Sequence, residues 1–317
     1  MQPLLQVENL KTWFPIKKGV FARTVGYVRA LDGVSLTMQA GETVGVVGES
    51  GCGKSTLART ILRLAKSREG RVLVDGKDVS RLSRKEMQEF RRTVQVVFQD
   101  PHASLNPRHT VLELLTEAPV AHGLFGMEER RERAERLLGD VGLPPDILDR
   151  YPFAFSGGQR QRICIARALA LNPKLLICDE AVSALDLSIR AQVLNLLEEL
   201  QEKRGLAYLF ITHDIGVVEH IADRVVVMYL GKVVESGGCE EVLHSPAHPY
   251  TRLLLAAVPA IGKPLPDVPP MEAGATAGEG GCPFAPRCPQ AQDICRHTAP
   301  SLREISPGHC AACHVGG

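Results

Sequence analysis

An α/β fold with a largely parallel sheet is predicted by three features of this 317-residue sequence. These are short continuous apolar runs, amphipathic helical patterns between them, and a glycine-rich loop at a strand-to-helix junction. The runs are Thr43–Val47 (TVGVV), Val94–Phe98 (VQVVF), residues 175–178 (LLIC), Ala207–Ile211 (AYLFI) and Arg224–Tyr229 (RVVVMY). Rich in β-branched residues and lacking polar alternation, they suit strands covered on both faces. Between them, Leu187–Arg204 places apolar residues at 189, 193, 196, 197 and 200, one face of a helix. Residues 128–138 read as a charged amphipathic helix, and another helix is expected from about Lys54. Near residue 260 the composition changes to KPLPDVPPMEAGATAGEGG, which reads as a linker or an exposed crossing.

Hydrophobic residues make up 44% of the chain and charged residues 23%, enough to bury a core in one large or two ordinary domains. Lys plus Arg is 37 and Asp plus Glu 36, a net charge of +1 that argues against a bulk nucleic-acid binder. Apolar runs such as 225–230 and 253–258 are far shorter than the roughly 20 residues of a membrane-spanning helix. The start, MQPLLQVENLKTWFP, lacks a basic segment followed by an apolar block, so no signal peptide is expected and the chain should stay in the cytosol. In that reducing setting the nine Cys are expected to be free, metal-bound or catalytic rather than paired.

Gly48, Glu49, Ser50, Gly51, Cys52, Gly53, Lys54 and Ser55, followed by Thr56, fit G-x-x-x-x-G-K-[ST] between a strand and a helix. The glycines let the backbone wrap so that N–H groups point inward, and the helix N-terminus adds partial positive charge. Lys54 is expected to reach the β- and γ-phosphates and Ser55 to ligate Mg²⁺. The run 175–178 leads into Asp179 and Glu180 at a strand end, where ligands of parallel sheets bind. Asp179 suits a Mg²⁺ contact, and Glu180 suits a group that orients or deprotonates an attacking water.

Four further segments carry a resemblance. Phe155-Ser156-Gly157-Gly158-Gln159-Arg-Gln-Arg162 resembles the signature motif of the ATP-binding cassette (ABC) ATPases. Gln99 in VVFQDP is similar to their Q-loop glutamine, Ser183-Ala-Leu-Asp186 to the D-loop, and His213 in FITHD to the switch histidine. Order and spacing match over residues 4 to 260. The residues also fit physically: Ser156 is a good N-cap, and Gly157-Gly158 permits close backbone approach at a second helix N-terminus.

The resemblance implies a P-loop fold with a mostly parallel core sheet, an antiparallel N-terminal β-subdomain and a helical signature subdomain at about 101–170, all within residues 1–260. It implies catalysis by Glu180 with Gln99 and His213, and Mg²⁺ held by Ser55, Gln99 and Asp179. It also implies two domains meeting head to tail, so that Ser156, Gly157, Gly158, Gln159 and Asp186 of one close on the ATP of the other. The family usually has Pro after the catalytic Glu, and this chain has Ala181, which lacks the fixed φ of Pro. For stacking on adenine, Trp13, Phe14 and Tyr27 are candidates across the insertion IKKGVFARTVG, and Phe14 matches the pattern best.

Residues 261–317 form the linker and a cysteine-rich tail. HPYTRLL at 248–254, GCPFAPRCP at 281–289 and VFQDPHASLNP resemble ATP-binding subunits of dipeptide and oligopeptide importers, and nickel and glutathione importers share much of this. Cys282, Cys288 and Cys295 are followed by Cys310 and Cys313, with five and six intervening residues and then 14 or 17. That is not the C-x₂-C pairing of structural zinc, whereas iron–sulfur ligation tolerates wider loops. Members of the peptide-importer group with this tail resemble carriers of a [4Fe–4S] cluster. The family ending Ala-Cys-His matches Ala312-Cys313-His314, which makes Cys313 the fourth ligand and Cys310 the alternative. Cys52, Cys164 and Cys178 read as small buried residues, and Cys239 as incidental.

By this resemblance the chain is a peripheral ATPase subunit at the cytoplasmic face of the cell membrane. Its implied partners are a related but different ATP-binding subunit, two transmembrane permease subunits near Gln99 and residues 100–108, and an extracytoplasmic substrate-binding protein, with no nucleic acid. The rivals are a motor for nickel, glutathione or another solute, a soluble ABC ATPase acting on ribosomes or DNA, and an iron–sulfur redox sensor that binds ATP. The second rival usually carries two cassettes or a long coiled-coil insertion, and neither is present in this sequence.

Overall fold

The computed structural model describes residues 2–19, 22–258 and 280–315, so the expected linker after residue 260 lies largely outside the described residues. In chain order the strands are β1 (Leu5–Lys18), β2 (Arg23–Met38), β3 (Thr43–Val47), β4 (Glu69–Val74), β5 (Lys77–Asp78), β6 (Val94–Phe98), β7 (Leu175–Asp179), β8 (Ala207–Ile211), β9 (Arg224–Tyr229), β10 (Lys232–Gly238), β11 (Arg303–Ser306) and β12 (His309–Ala311). The helices are α1 (Lys54–Ile61), α2 (Arg84–Thr93), α3 (Pro101–Ser104), α4 (Val111–Ala121), α5 (Arg130–Asp140), α6 (Gly157–Leu169), α7 (Leu187–Arg204), α8 (Ile215–Ile221), α9 (Cys239–His244), α10 (Pro249–Ala256) and α11 (Asp293–His297). They form two compact units: residues 1–38, 43–80 and 211–317, and residues 39–42 and 81–210.

The first unit holds an antiparallel sheet in the order β2-β1-β4-β5 and a run of strands β11-β12-β10-β9-β3. β3 and β9 are parallel, with Val47 opposite Val227, and every residue of β3 is buried. β10 returns antiparallel on β9, and β12 adds antiparallel to β10, with Ala311 opposite Glu235. Beyond the parallel strands the sheet is therefore mixed, because the segment after residue 300 supplies a hairpin to its edge. The core of this unit includes Val47, Val218, Val225, Val227, Tyr229, Tyr250 and Phe284, with Cys282 and Cys288 packed against it. Residues of the cysteine-rich tail are thus buried together with the strand that leads into the phosphate loop. The described parts of the inserted segment extend β1 and β2, and Lys18 pairs with Arg23.

In the second unit β6 and β7 are parallel, with Phe98 opposite Asp179. α7 covers residues 187–204 as its apolar spacing predicts, and buries Val193, Leu194, Leu196, Leu197 and Leu200. Tyr208 in β8 is fully buried, and its hydroxyl donates to the Leu197 carbonyl at 2.8 Å. This supplies the partner that a buried phenol requires. Helices α3, α4, α5 and α6 follow β6 in this unit. The charged helix expected at 128–138 is α5, two residues further on.

Candidate nucleotide-binding site

The phosphate loop leaves β3 and enters α1 at Lys54. Three of its glycines have positive φ: Gly48 at 152°, Gly51 at 82° and Gly53 at 111°. Two of them are also sterically required. A Cβ on Gly48 would stand 2.3 Å from the Met228 carbonyl oxygen, and one on Gly53 2.3 Å from that of Ala30. The loop is therefore threaded between neighbouring backbones, a conformation only glycine supports. Lys54 is buried and donates to the carbonyls of Gly48 at 2.6 Å and Glu49 at 3.0 Å. Its ammonium so lies inside the loop's own curve, where an incoming phosphate would replace carbonyl oxygens as partner. Ser55 and Thr56 follow in the first turn of α1. Burial pushes the Cys52 thiol up, against the pull of Lys54.

Two residues outside the motif complete the loop. The Tyr250 hydroxyl, at the start of α10, accepts from the Glu49 amide at 2.8 Å. Arg287 donates through both terminal nitrogens to the two carboxylate oxygens of Glu49, each at 2.8 Å. Arg287 lies 238 residues from Glu49 in the chain, so motif spacing carries no trace of the pair. The available signal was indirect: both residues lie in HPY and CPFAPRC, segments singled out above for the subfamily they resemble.

His213 belongs to the same unit and is exposed. The Thr212 amide donates to the Val46 carbonyl at 3.1 Å, so the chain reaches His213 beside the strand that ends at the loop. On the β1–β2 hairpin the Trp13 and Tyr27 rings lie 6.1 Å apart. Arg29 and Arg68 stand 4.8 and 4.4 Å from the Trp13 centroid. Those rings are already engaged by cations. Phe14 is the neighbour of Trp13 along β1, so it points to the opposite face, and it is 44% exposed.

In the second unit the parallel register of β6 and β7 brings Gln99 and Glu180 out at the same sheet edge, each one residue past the pair Phe98 and Asp179. Asp179 is buried and Gln99 exposed. Glu180 adopts φ 52°, the left-handed region. That is an uncommon conformation for a non-glycine residue and a form of stored strain. Its carbonyl accepts from the Ser183 amide at 3.1 Å and the Ser183 hydroxyl at 2.9 Å, a closed turn. Ala181 and Val182 are buried inside that turn, so packing holds it where Pro is absent. Asp186 is exposed and N-caps α7.

The signature segment forms the N-terminus of α6. Ser156 caps it, with its hydroxyl accepting from the Gln159 amide while the Gln159 side chain accepts from the Ser156 amide at 3.1 Å. That is the reciprocal capping box. Ser156, Gly157 and Gln159 are exposed and available to an incoming anion. Gly158 is needed for packing: a Cβ there would stand 2.5 Å from Ile189 Cγ2 on α7.

In the tail, Cys282, Cys288, Cys295 and Cys313 line one small cavity together with Phe284, His248 and Val315. Cys310 does not line it; that residue sits in β12 opposite Ser236 and Glu304. Four thiols line this cavity, the number of ligands that an iron–sulfur cluster takes. Among the described residues, however, no group of three or more His, Cys, Asp and Glu is set to hold a metal ion. All nine Cys are thiols. Burial pushes Cys164 up to about 11 and Cys178 higher still, consistent with small buried residues.

A model of the ABC transporter family matches residues 31–183, and one of the oligopeptide/dipeptide transporter C-terminal region matches 234–295. The chain is 50% identical to the oligopeptide transport ATP-binding protein AppF of Bacillus subtilis (strain 168), over 99% of this chain and 98% of that protein. It is 49% identical to the probable peptide ABC transporter ATP-binding protein y4tS of Sinorhizobium fredii, over 98% and 90%. Among solved structures, the ATP-binding cassette MJ0796, a dimer bound to ADP and Pi, is 32% identical, with TM-score 0.65 over 74% of this chain and 98% of that one. The cbiO1 component of the cbiONQ transporter from Clostridium perfringens is 30% identical, also with TM-score 0.65, over 77% and 92%. With its phosphate loop, signature helix and C-terminal region all matched in order, this chain belongs to the ABC transporter ATPases of the oligopeptide/dipeptide group.

Proposed function

We propose that this chain is the ATP-hydrolysing subunit of a membrane importer for short peptides. The observation that carries the reading is the pairing, in one chain, of the ABC cassette with the oligopeptide/dipeptide C-terminal region. ATP binds on the loop 48–56, where Lys54 exchanges its carbonyl partners for β- and γ-phosphate oxygens. Ser55 and Asp179 offer oxygen donors suited to Mg²⁺, which neutralises charge on the phosphates when bound. Glu180 orients and deprotonates the attacking water, with Gln99 and His213 as further contacts of the reacting group. Catalysis here is positioning plus stabilisation of charge on the transferred phosphoryl group.

Ser156, Gly157, Gly158, Gln159 and Asp186 serve the ATP of a second ATP-binding subunit, a related paralogue. Closure of the two on ATP moves two permease subunits docked near Gln99 and residues 100–108. An extracytoplasmic binding protein delivers the peptide, and the chain works as a peripheral subunit at the cytoplasmic face. Residues 1–260 act as the ATP-binding domain, with the helical subdomain at about 101–170, and 261–317 as linker and tail. In that tail Cys282, Cys288, Cys295 and Cys313 hold a [4Fe–4S] cluster, which supplies a cross-link between distant segments.

The test is uptake. Cells carrying wild-type or Glu180→Gln protein are compared on labelled dipeptides, longer peptides, glutathione and Ni²⁺. Loss of peptide uptake alone is expected. Intact peptide uptake with loss of Ni²⁺ or glutathione would overturn the substrate assignment.

A further inference from the structure

Glu49 places a carboxylate in a loop built to receive a polyphosphate. Left unpaired, it would repel the ligand. The structure ties this residue at three points: its amide to Tyr250, its carbonyl to Lys54, and its carboxylate to Arg287. The Arg287 pair is bidentate and its side chains are only 10% and 25% exposed, so water screens it weakly. Arg287 Nε is buried without a hydrogen-bond partner among the described residues, a cost that an apolar side chain would not bear.

Both anchoring residues are themselves fixed. Arg287 ends a single 3-10 turn, Ala285–Arg287, directly before Cys288. Its guanidinium lies 5.8 Å from the rings of Tyr229 and Phe284. Tyr250 is fully buried, packed on Tyr229 at 4.6 Å and Phe284 at 5.4 Å, and its amide donates to His248 Nδ1 at 3.0 Å. Burial pushes His248 down to about 4, which keeps Nδ1 an acceptor at neutral pH. His248 is held in turn through its amide, which donates to the buried carboxylate of Glu235 at 2.9 Å.

We propose that Arg287 and Tyr250 are positioning residues for nucleotide binding: Arg287 cancels the charge of Glu49, Tyr250 fixes its backbone, and the C-terminal region thereby sets the affinity of the phosphate loop. This rests on the reading of residues 48–56 as the ATP site. The consequence is electrostatic in sign. Removing Arg287 alone leaves the Glu49 charge uncancelled in the phosphate loop, whereas removing both charges restores the net charge that the loop and its anchor have in the wild type.

The test uses the full chain and titration with fluorescent analogues of ATP and of adenosine. Arg287→Gln should weaken the ATP analogue by about tenfold or more, the scale of a lost charged hydrogen-bonding pair. The loss should shrink at high salt and be absent for the adenosine analogue. Glu49→Gln leaves the Arg287 cation uncompensated beside the loop and should bind the ATP analogue more tightly than wild type, and Arg287→Gln combined with Glu49→Gln should recover most of the loss. A purely structural role for Arg287 makes the double variant no better than the single. That result, or unchanged ATP affinity in Arg287→Gln, would overturn the proposal. Should Arg287→Gln not fold, Glu49→Gln still decides, because unchanged or weakened ATP binding there contradicts the charge argument. Lys54→Ala separates the two levels. If wild type and Lys54→Ala bind ATP equally, the assignment of the loop itself fails. If only Lys54→Ala is impaired, the loop stands and the role of Arg287 falls.

Discussion

Glu180 combines two properties rarely joined in one residue: a carboxylate at the end of a buried strand and a left-handed backbone closed by Ser183. Its isosteric amide keeps the turn and removes the base, so Glu180→Gln should bind ATP normally. Turnover should fall by about 10²–10⁴-fold, the usual contribution of a positioned base. Single-turnover release of phosphate measures this, and near-wild-type rates would remove Glu180 from that role. The cysteines give a second residue-level prediction. With Cys164 pushed up to about 11, and Cys178 raised further by complete burial, both stay protonated at pH 8. Since the thiolate is the nucleophile, iodoacetamide should leave both unlabelled in the native protein and label both after denaturation, as read by mass spectrometry. At this scale the motif residues were legible because phosphate chemistry restricts both residue type and spacing. Arg287 and Tyr250 were not, since nothing local marks a side chain that bonds to a loop residue 238 or 201 positions away.

Among the elements, the strands legible from the sequence were those covered on both faces. Thr43–Val47, Val94–Phe98, Ala207–Ile211 and Arg224–Tyr229 begin and end where their apolar runs do, and β7 extends one residue further, to Asp179. Elements too short or too polar to form a continuous apolar run left no such mark. β11 reads REIS and is largely exposed, and β12 has three residues; β12 is a strand because β10 offers it an edge, and β11 because β12 does. α7 was legible throughout its length because its apolar face packs continuously. Its meeting with α6 shows why the second signature glycine is glycine. A Cβ at 158 would press on Ile189 at 2.5 Å, so Gly158→Val should destabilise by about 1–3 kcal/mol through overpacking. Adding Ile189→Ala should recover part of that loss in urea unfolding. Additive losses in the double variant would show that the two side chains do not compete for space.

For the whole molecule the decisive feature is that the tail is part of a core rather than an appendage. Phe284 packs with Val47 of the phosphate-loop strand, and Cys282 and Cys288 lie against the same cluster. β12 hydrogen-bonds to β10, and His309 pairs with the fully buried Glu235 at 2.7 Å. Cys282, Cys288, Cys295 and Cys313 converge on one cavity although 31 positions separate the first from the last. A ligand that bridges them therefore cross-links segments that the core already holds, and its binding free energy adds to that of the folded unit. Anaerobically purified full-length protein should be brown, with about four irons per chain. Cys295→Ser and Cys313→Ser should each lose that iron and lower the thermal midpoint of the nucleotide-free protein. Cys310→Ser should keep both iron and midpoint, because its side chain lies in β12 away from the cavity. Iron and zinc analysis with a visible spectrum decides the matter: a colourless wild-type preparation free of both metals would leave the four thiols as packing groups only, and iron lost from Cys310→Ser but kept by Cys313→Ser would reverse the choice of fourth ligand.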